Sequence, residues 1–247
     1  ELGTNPGRII SAWRQFVFDH RDDPHLRGIG EPVWPERTPE ELVECQHHER
    51  LLNVAFPPGL PWRLLCPYDV STLDAAVVDE AKAAHPYVHE QAGWWDDAPA
   101  GRAVDPGRPL DEPLADLPPP VRELGFDAVS RADALTAVAE VAGPGLAPAR
   151  ADALGRAVGE VFDNSLRHGG GSGTLRLWRT GPDVVCEVRD AGRLRDPLVG
   201  RGLRARATAD RRGLWLVHEL CDLVQVRSTD AGTVVRLTMR GAPGRRG

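Results

Sequence analysis

The chain has 247 residues, 41% of them hydrophobic and 27% charged, an ordinary globular composition with room for one large or two medium domains. Its net charge of −6 is unevenly placed: residues 1–120 carry 10 basic and 21 acidic side chains, a net of −11, whereas residues 121–247 carry 20 and 15, a net of +5. The asymmetry predicts two units, and the acidic half argues against nucleic acid as its partner, because a phosphate backbone needs a basic surface.

Asn5-Pro6-Gly7 predicts a helix start, followed by Ile9, Ile10, Trp13, Phe16 and Val17 at helical spacing. Residues 22–39, rich in Pro and Gly, read as loop. Thr38-Pro39-Glu40-Glu41 opens a second helix, with Thr38 as N-cap, Pro39 in the first position and Glu41 closing a capping box. Leu42, Leu51, Leu52 and Ala55 are its expected buried side. Arg63–Tyr68 reads as a short strand stopped by Pro67, and Ser71 or Thr72 as the cap of a helix reaching Ala84. Residues 93–120 have no periodicity and carry Asp96-Asp97, Asp105-Pro106 and Pro118-Pro119-Pro120, the composition of a linker. Trp94-Trp95, at its start, is expected to dock on a domain.

Beyond the linker come a strand near Leu124-Gly125-Phe126, a helix near Ser130–Val141, and a long helix opened by Pro148. Gly173–Arg179 and Asp183–Asp190 alternate as strands joined at Gly181-Pro182. Gly213–Asp222 reads as a short apolar helix, and Leu223–Ser228 with Thr233–Arg240 as a hairpin around Asp230-Ala231-Gly232. Between Arg193 and Arg212, the residues Arg201, Arg204, Arg206, Arg211 and Arg212 read equally as a phosphate-closing lid and as a solvated loop. The four cysteines, Cys45, Cys66, Cys186 and Cys221, form no CxxC pair, so reduced thiols are expected, with Cys186 and Cys221 in the core. No apolar run is long enough to span a membrane, and the first residue is Glu1 rather than Met, so the chain reads as a fragment.

The long helix ends in Glu160-Val161-Phe162-Asp163-Asn164-Ser165-Leu166-Arg167-His168-Gly169-Gly170-Gly171. Glu160 and Asn164 stand one turn apart on one face, while Leu154, Val158 and Val161 make a separate apolar stripe. A carboxylate beside a carboxamide, followed by glycines, suits a metal-bound phosphate. The Asn oxygen can ligate a hard cation, the Glu can take a proton or order a water, and the glycines let backbone approach phosphate. Taken alone, the stretch reads slightly better as a solvated helix face with a glycine C-cap. Three later elements shift the balance. Asp190-Ala191-Gly192 ends a strand, where an acid can bond an adenine amino group. Gly213-Leu214 opens a helix beneath the arginine-rich stretch, a natural phosphate position. Gly232-Thr233 begins the last strand, where a hydroxyl can reach the base. His168 either touches phosphate or caps its helix against the C-terminal dipole.

In the first half, Cys45, His47, His48, Cys66 and His85 invite a metal reading, but no ligand-pair spacing supports it, and ordinary packing is the expectation. Cys66-Pro67-Tyr68 at a strand end reads equally as pocket lining and as core.

In this order the four C-terminal elements resemble the nucleotide-binding boxes of the GHKL ATPase superfamily, which includes gyrase, histidine kinases and the anti-sigma-factor serine kinases. Glu160…Asn164…His168-Gly169 is similar to the anti-sigma-kinase group in particular. The resemblance implies an α/β sandwich over 121–240, with helices packed on one mixed sheet, that binds ATP and Mg²⁺. It gives Glu160 the role of general base or water-orienting group and Asn164 that of Mg²⁺ ligand. His168, Asp190, Gly192, Gly213, Leu214 and Thr233 would contact the nucleotide. Two glycines of the pattern are missing. Leu194 stands at the second glycine of the Asp-x-Gly-x-Gly box and Arg211 at the first of the later Gly-x-Gly box, so binding is a stronger expectation than turnover.

Asn5-Pro6-Gly7-Arg8-Ile9-Ile10, Gly30-Glu31-Pro32-Val33-Trp34, His48-Glu49-Arg50-Leu51-Leu52-Asn53, Leu65-Cys66-Pro67-Tyr68-Asp69 and His85-Pro86 resemble the MEDS sensory domain. That resemblance implies a RecA-like α/β unit over 1–92 that senses a small molecule, with its leading strands upstream of Glu1. Residues 93–120 are then the linker and 241–247 a flexible tail. Together the halves imply a cytoplasmic bacterial signalling regulator with a sigma factor or an anti-sigma antagonist as protein partner, no nucleic acid or membrane, and a homodimer as an open assembly state. A protein serine kinase, a binding-only regulator with a degenerate ATP site and a sensor histidine kinase remain alternatives. The last is weakened because no accepting histidine with a helical hairpin precedes the ATPase-like half.

Overall fold

The computed structural model describes residues 2–57, 59–90, 93–95, 108–202 and 209–242. The chain divides into two units, Glu1–Pro106 and Gly107–Gly247. No helix among the described residues is long and apolar enough to cross a membrane.

In the first unit, Asn5 Oδ1 accepts from the Gly7 N–H at 3.0 Å and starts a 3-10 turn, Pro6–Arg8, that runs into helix α1 (Ile9–Asp19). Strands β1 (Leu26–Ile29) and β2 (Trp62–Leu65) pair in parallel, Leu26 opposite Trp62, with helix α2 (Pro39–Ala55) between them in the chain. That is a βαβ arrangement, as an α/β unit requires. The capping box of α2 forms as expected: Thr38 Oγ1 accepts from the Glu41 N–H at 3.3 Å, and Glu41 Oε2 accepts from the Thr38 N–H at 2.9 Å. Strand β1 lies in the stretch read as loop. Its Gly28 is no turn residue: a Cβ there would stand 2.5 Å from the Trp62 ring, so the glycine makes room for that tryptophan. Trp13, Phe16 and Phe56 surround Trp62 with ring centroids 5.2, 5.8 and 5.9 Å away. Helix α3 (Ala75–Ala84) starts later than expected, with Asp74 in the N-cap position. Ser71 and Thr72 instead close a turn on Asp69. Strands β3 (Val88–Glu90) and β4 (Gly93–Trp95) pair antiparallel; the side chains of Trp94 and Trp95 lie outside the described residues.

The buried side of α2 also differs from the expectation. Leu51 and Ala55 are buried, but Glu41, Glu44, Cys45, His47, His48 and Glu49 fill the rest. Ionisable side chains tolerate burial when paired. Arg37 stands 3.8 Å from Glu41, His47 3.7 Å from Glu44, and His85 3.0 Å from Glu49.

The second unit is a two-layer α/β sandwich. Its five-stranded sheet has the order β5-β6-β7-β9-β8, from strands β5 (Arg122–Asp127), β6 (Ser172–Thr180), β7 (Asp183–Asp190), β8 (Leu223–Thr229) and β9 (Gly232–Met239). Every neighbouring pair is antiparallel, so the sheet is not mixed in its pairing. The hairpin strand β9 separates β7 and β8, which run in the same direction. Helices α5 (Arg131–Ala142), α6 (Pro148–His168) and α7 (Ala209–Leu220) supply the other layer. Leu154, Ala157, Val158, Val161 and Phe162 of α6 pack on Leu175, Leu177, Cys186, Val188, Val235 and Leu237 of the sheet. Phe162 stacks on Phe126 with centroids 4.0 Å apart. Cys186 and Cys221 are both in this core, as expected from an alternating strand and a short apolar helix.

The opposite sheet face carries a row of alternating charges in register: Glu123 opposite Arg176, Arg176 opposite Glu187, and Glu187 opposite Arg236. Opposite charges facing across strands support the register. Arg236 Nη2 is 2.6 Å from Glu187 Oε2, with both side chains buried. The cover comes from residues 108–120, which the sequence placed in the linker. Short helix α4 (Arg108–Asp111) lies against β8, Arg236 Nη1 donates to the Ala115 carbonyl at 2.9 Å, and Trp178 Nε1 donates to the Pro118 carbonyl at 2.6 Å. Residues 108–120 are thus a strap of the second unit, which its proline-rich, unpatterned composition concealed. Residues 96–107 and 243–247, from the predicted linker and tail, lie outside the described residues.

Candidate functional site

Helix α6 carries two sets of side chains at its C-terminal end. Its apolar stripe and the buried Ser165 face the sheet, and Glu160 and Asn164, half-buried, flank that stripe. Helix α7 crosses above them. A Cβ on Gly213 would lie 3.1 Å from Glu160 Oε2 and 3.2 Å from Asn164 Nδ2, so the α7 backbone rests on both functional groups and only a glycine fits without displacing them. Leu214, next in sequence, is buried in the core and abuts Gly200. The structure therefore brings Glu160, Asn164 and Gly213 to one place, although 49 residues separate Asn164 from Gly213.

A second cluster forms where β7 ends beside the last turn of α6. Asp190 Oδ2 accepts from Ser165 Oγ at 2.6 Å, and Asp190 Oδ1 accepts from the Gly192 N–H at 2.8 Å. The Ala191 N–H donates to the Gly169 carbonyl at 3.1 Å, which ties the strand end to the glycine run. Each carboxylate oxygen has two acceptor sites, so Asp190 keeps acceptor capacity for a further amino group. Thr233, opposite Asp190 in the β7–β9 register, donates through Oγ1 to the Gly192 carbonyl at 2.8 Å. Its hydroxyl proton is then committed, so the 2.9 Å contact with Ser228 has Ser228 Oγ as donor. Ser228 Oγ in turn accepts from the Leu194 N–H at 2.8 Å. Asp190, Gly192, Thr233, Ser228 and Leu194 make one connected network.

Of the residues named from sequence, Asp190, Gly192 and Thr233 belong to this network. The His168 side chain is exposed on the last turn of α6, and its carbonyl oxygen lies against Gly192. Arg201 is buried rather than part of a solvated loop, and Arg212 is exposed. Arg204, Arg206 and the Arg211 side chain lie outside the described residues. Sequence reading missed Ser165 and Ser228. Ser165 follows Asn164 directly, and its place on the apolar stripe was the available signal: a polar residue among buried ones needs a partner.

In the first unit the five residues that invited a metal reading do not gather at one place. Cys45 is buried and donates to the Pro32 carbonyl at 3.2 Å, and burial pushes its thiol up to about 12. Cys66 and His85 come together with Glu49, which the sequence did not single out. Burial opposes the charged form of His85, but hydrogen bonds with Cys66 and Glu49 and the Glu49 charge outweigh it and raise the imidazolium to about 10. Burial likewise opposes the Glu49 carboxylate, and the His85 hydrogen bond with the His48 and His85 charges holds it below its ordinary value. Burial pushes the Cys66 thiol up.

Residues 1–86 match the family model described as the methanogen/methylotroph, DcmR sensory domain (MEDS), and residues 127–239 match that of the histidine kinase-like ATPase domain. No curated protein matches the chain. Among solved structures, the chain is similar to the crystal structure of the RsbU and RsbW domains of Rv1364c from Mycobacterium tuberculosis, at 20% identity and a TM-score of 0.37. That similarity covers 51% of this chain and 34% of the other, so this chain spans only part of that relative's length.

Proposed function

The chain joins a MEDS segment to a histidine kinase-like ATPase domain, and from that premise we propose that it is a cytoplasmic bacterial regulator of the anti-sigma-factor type. In this reading its second unit binds ATP with Mg²⁺ and holds a sigma factor or an anti-sigma antagonist, while its first unit senses a small molecule. The observation that carries the reading is the packing of Gly213 on Glu160 and Asn164, with Asp190 fixed by Ser165 on the same helix.

The donor set fits the nucleotide. The Asn164 carboxamide oxygen is a hard donor suited to Mg²⁺. The Asp190 carboxylate is held on two sides and can still accept from an adenine amino group. Thr233 fixes the Gly192 carbonyl that would border the base. Bound ATP supplies the phosphoryl group. Glu160 takes the proton of a serine hydroxyl presented by the partner, or orders a water there, and transfer depends mostly on positioning.

A binding-only regulator has one specific observation in its favour. Leu194, in the place of a phosphate-loop glycine, packs against the core, and its N–H is already engaged by Ser228. That backbone is fixed rather than free to follow a phosphate. Titration with a fluorescent ATP analogue, with and without Mg²⁺, tests the common premise; absence of Mg²⁺-dependent binding refutes it. Incubation with labelled ATP and the cognate antagonist separates the two versions, since only the serine kinase labels the antagonist.

A further inference from the structure

Three donor atoms that the nucleotide reading does not use converge in the first unit. Glu49 projects from α2, Cys66 follows the last residue of β2, and His85 is the C-cap residue of α3. One carboxylate oxygen, the Cys66 sulfur and one His85 nitrogen all lie within 4.8 Å of one another. We propose that Glu49, Cys66 and His85 form a binding site for a divalent transition metal, Zn²⁺ by the character of the donors, with the fourth position open.

Four features support the assignment. A thiolate, an imidazole and a carboxylate are the ligand types that zinc takes, and three protein ligands with an open position form a reactive or ligand-sensing site rather than a closed structural one. Ligands around a tetrahedral ion with bonds of about 2.0–2.3 Å stand roughly 3.3–3.8 Å apart; the three donors here already lie within 4.8 Å of one another, with His85 Nε2 and Glu49 Oε2 at 3.0 Å. His85 Nδ1 lies 2.7 Å from the Ala81 carbonyl oxygen, which can only accept, so Nδ1 carries the proton and Nε2 is directed to Glu49 at 3.0 Å. A ligating histidine is oriented in this way, with its second nitrogen donating to a backbone carbonyl. Finally, the Tyr68 ring packs edge-on against His85 at 5.9 Å, and Glu49 and Tyr68 both border a crevice lined also by Val33, Leu42 and Gln46. A simple Glu49–His85 ion pair would not require the sulfur of Cys66 at the third corner.

The site needs no bound nucleotide, so it stands or falls separately from the proposed ATP site. The test uses the full chain, stripped with chelator and titrated with Co²⁺ and then Zn²⁺. The expected result is one Co²⁺ per chain with tetrahedral visible absorption and a thiolate-to-metal charge-transfer band, displaced by Zn²⁺. Cys66→Ser removes the charge-transfer band and Cys45→Ser retains it. His85→Ala weakens Zn²⁺ by at least the roughly 10–100-fold lost when an outer-sphere partner is removed. A second measurement needs no variant: Zn²⁺ protects Cys66, half-exposed while the other three cysteines are buried, from maleimide. Absence of the band, its survival in Cys66→Ser, unchanged Zn²⁺ affinity in His85→Ala, or equal alkylation with and without Zn²⁺ would each overturn the proposal.

Discussion

Ser165 Oγ lies 2.6 Å from Asp190 Oδ2, so one hydroxyl joins the helix that carries Glu160 and Asn164 to the strand end that carries the proposed adenine contact. Ser165 is fully buried, and its removal leaves the carboxylate without that donor. Ser165→Ala is expected to cost about 1–3 kcal/mol, seen as a fall of a few degrees in melting temperature. It should also weaken an adenine nucleotide, because Asp190 is then held on one side only. Isothermal titration beside thermal melting checks both effects; a variant that melts early but binds normally would detach Ser165 from the site.

Asn164 and Glu160 share a helix face, and the proposed function gives them different roles. Asn164→Ala is expected to reduce affinity for ATP with Mg²⁺ to the level seen in chelator, while Glu160→Gln keeps Mg²⁺-dependent binding and loses transfer. Paired titrations with and without Mg²⁺ show the first difference, and antagonist labelling the second.

Gly213 gives a prediction in which stability and binding move apart. Alanine at an interior helix position is favoured over glycine by roughly 0.5–1 kcal/mol. The added methyl would meet Glu160 and Asn164 at 3.1 and 3.2 Å and push them aside. Gly213→Ala is therefore expected to melt no earlier than the parent while binding Mg²⁺-ATP up to about tenfold more weakly, a difference of about 1.4 kcal/mol. Equal loss of both properties would point to general damage.

The buried pair Glu187–Arg236 sets a test of the sheet. Arg236→Met takes its buried partner from Glu187, which keeps Arg189 at 2.7 Å, and is expected to destabilise by about 3 kcal/mol. The double change Glu187→Leu with Arg236→Met removes both charges and should recover most of that loss. Denaturant unfolding of the two variants checks the non-additivity.

Local signals were legible and long-range ones were not. The Thr38 capping box, the Asn5 helix start, the β6–β7 turn at Gly181-Pro182 and the apolar stripe of α6 all follow from residues within a few positions of one another. The ordered boxes placed Glu160, Asn164 and Asp190 correctly on a helix and a strand end, because each box is itself local. What failed needed tertiary contacts. Gly28 read as loop because the tryptophan that explains it lies 34 residues later. Glu49 was invisible as a partner of Cys66 and His85 because three different elements supply the three. The strap at 108–120 has no periodicity to detect, since it is held by carbonyl oxygens meeting Arg236 and Trp178 and by the buried Leu110.

That strap also limits who can reach the second unit, and from where. While residues 108–120 stay docked, another chain cannot lay a strand or helix across the middle of the charged face, because Ala115 already occupies the guanidinium at its centre. A protein partner must either approach through the helical layer and the loops around α6 and α7, or compete with the strap for Arg236. The second route would make partner capture and release of the segment leading to the first unit a single event.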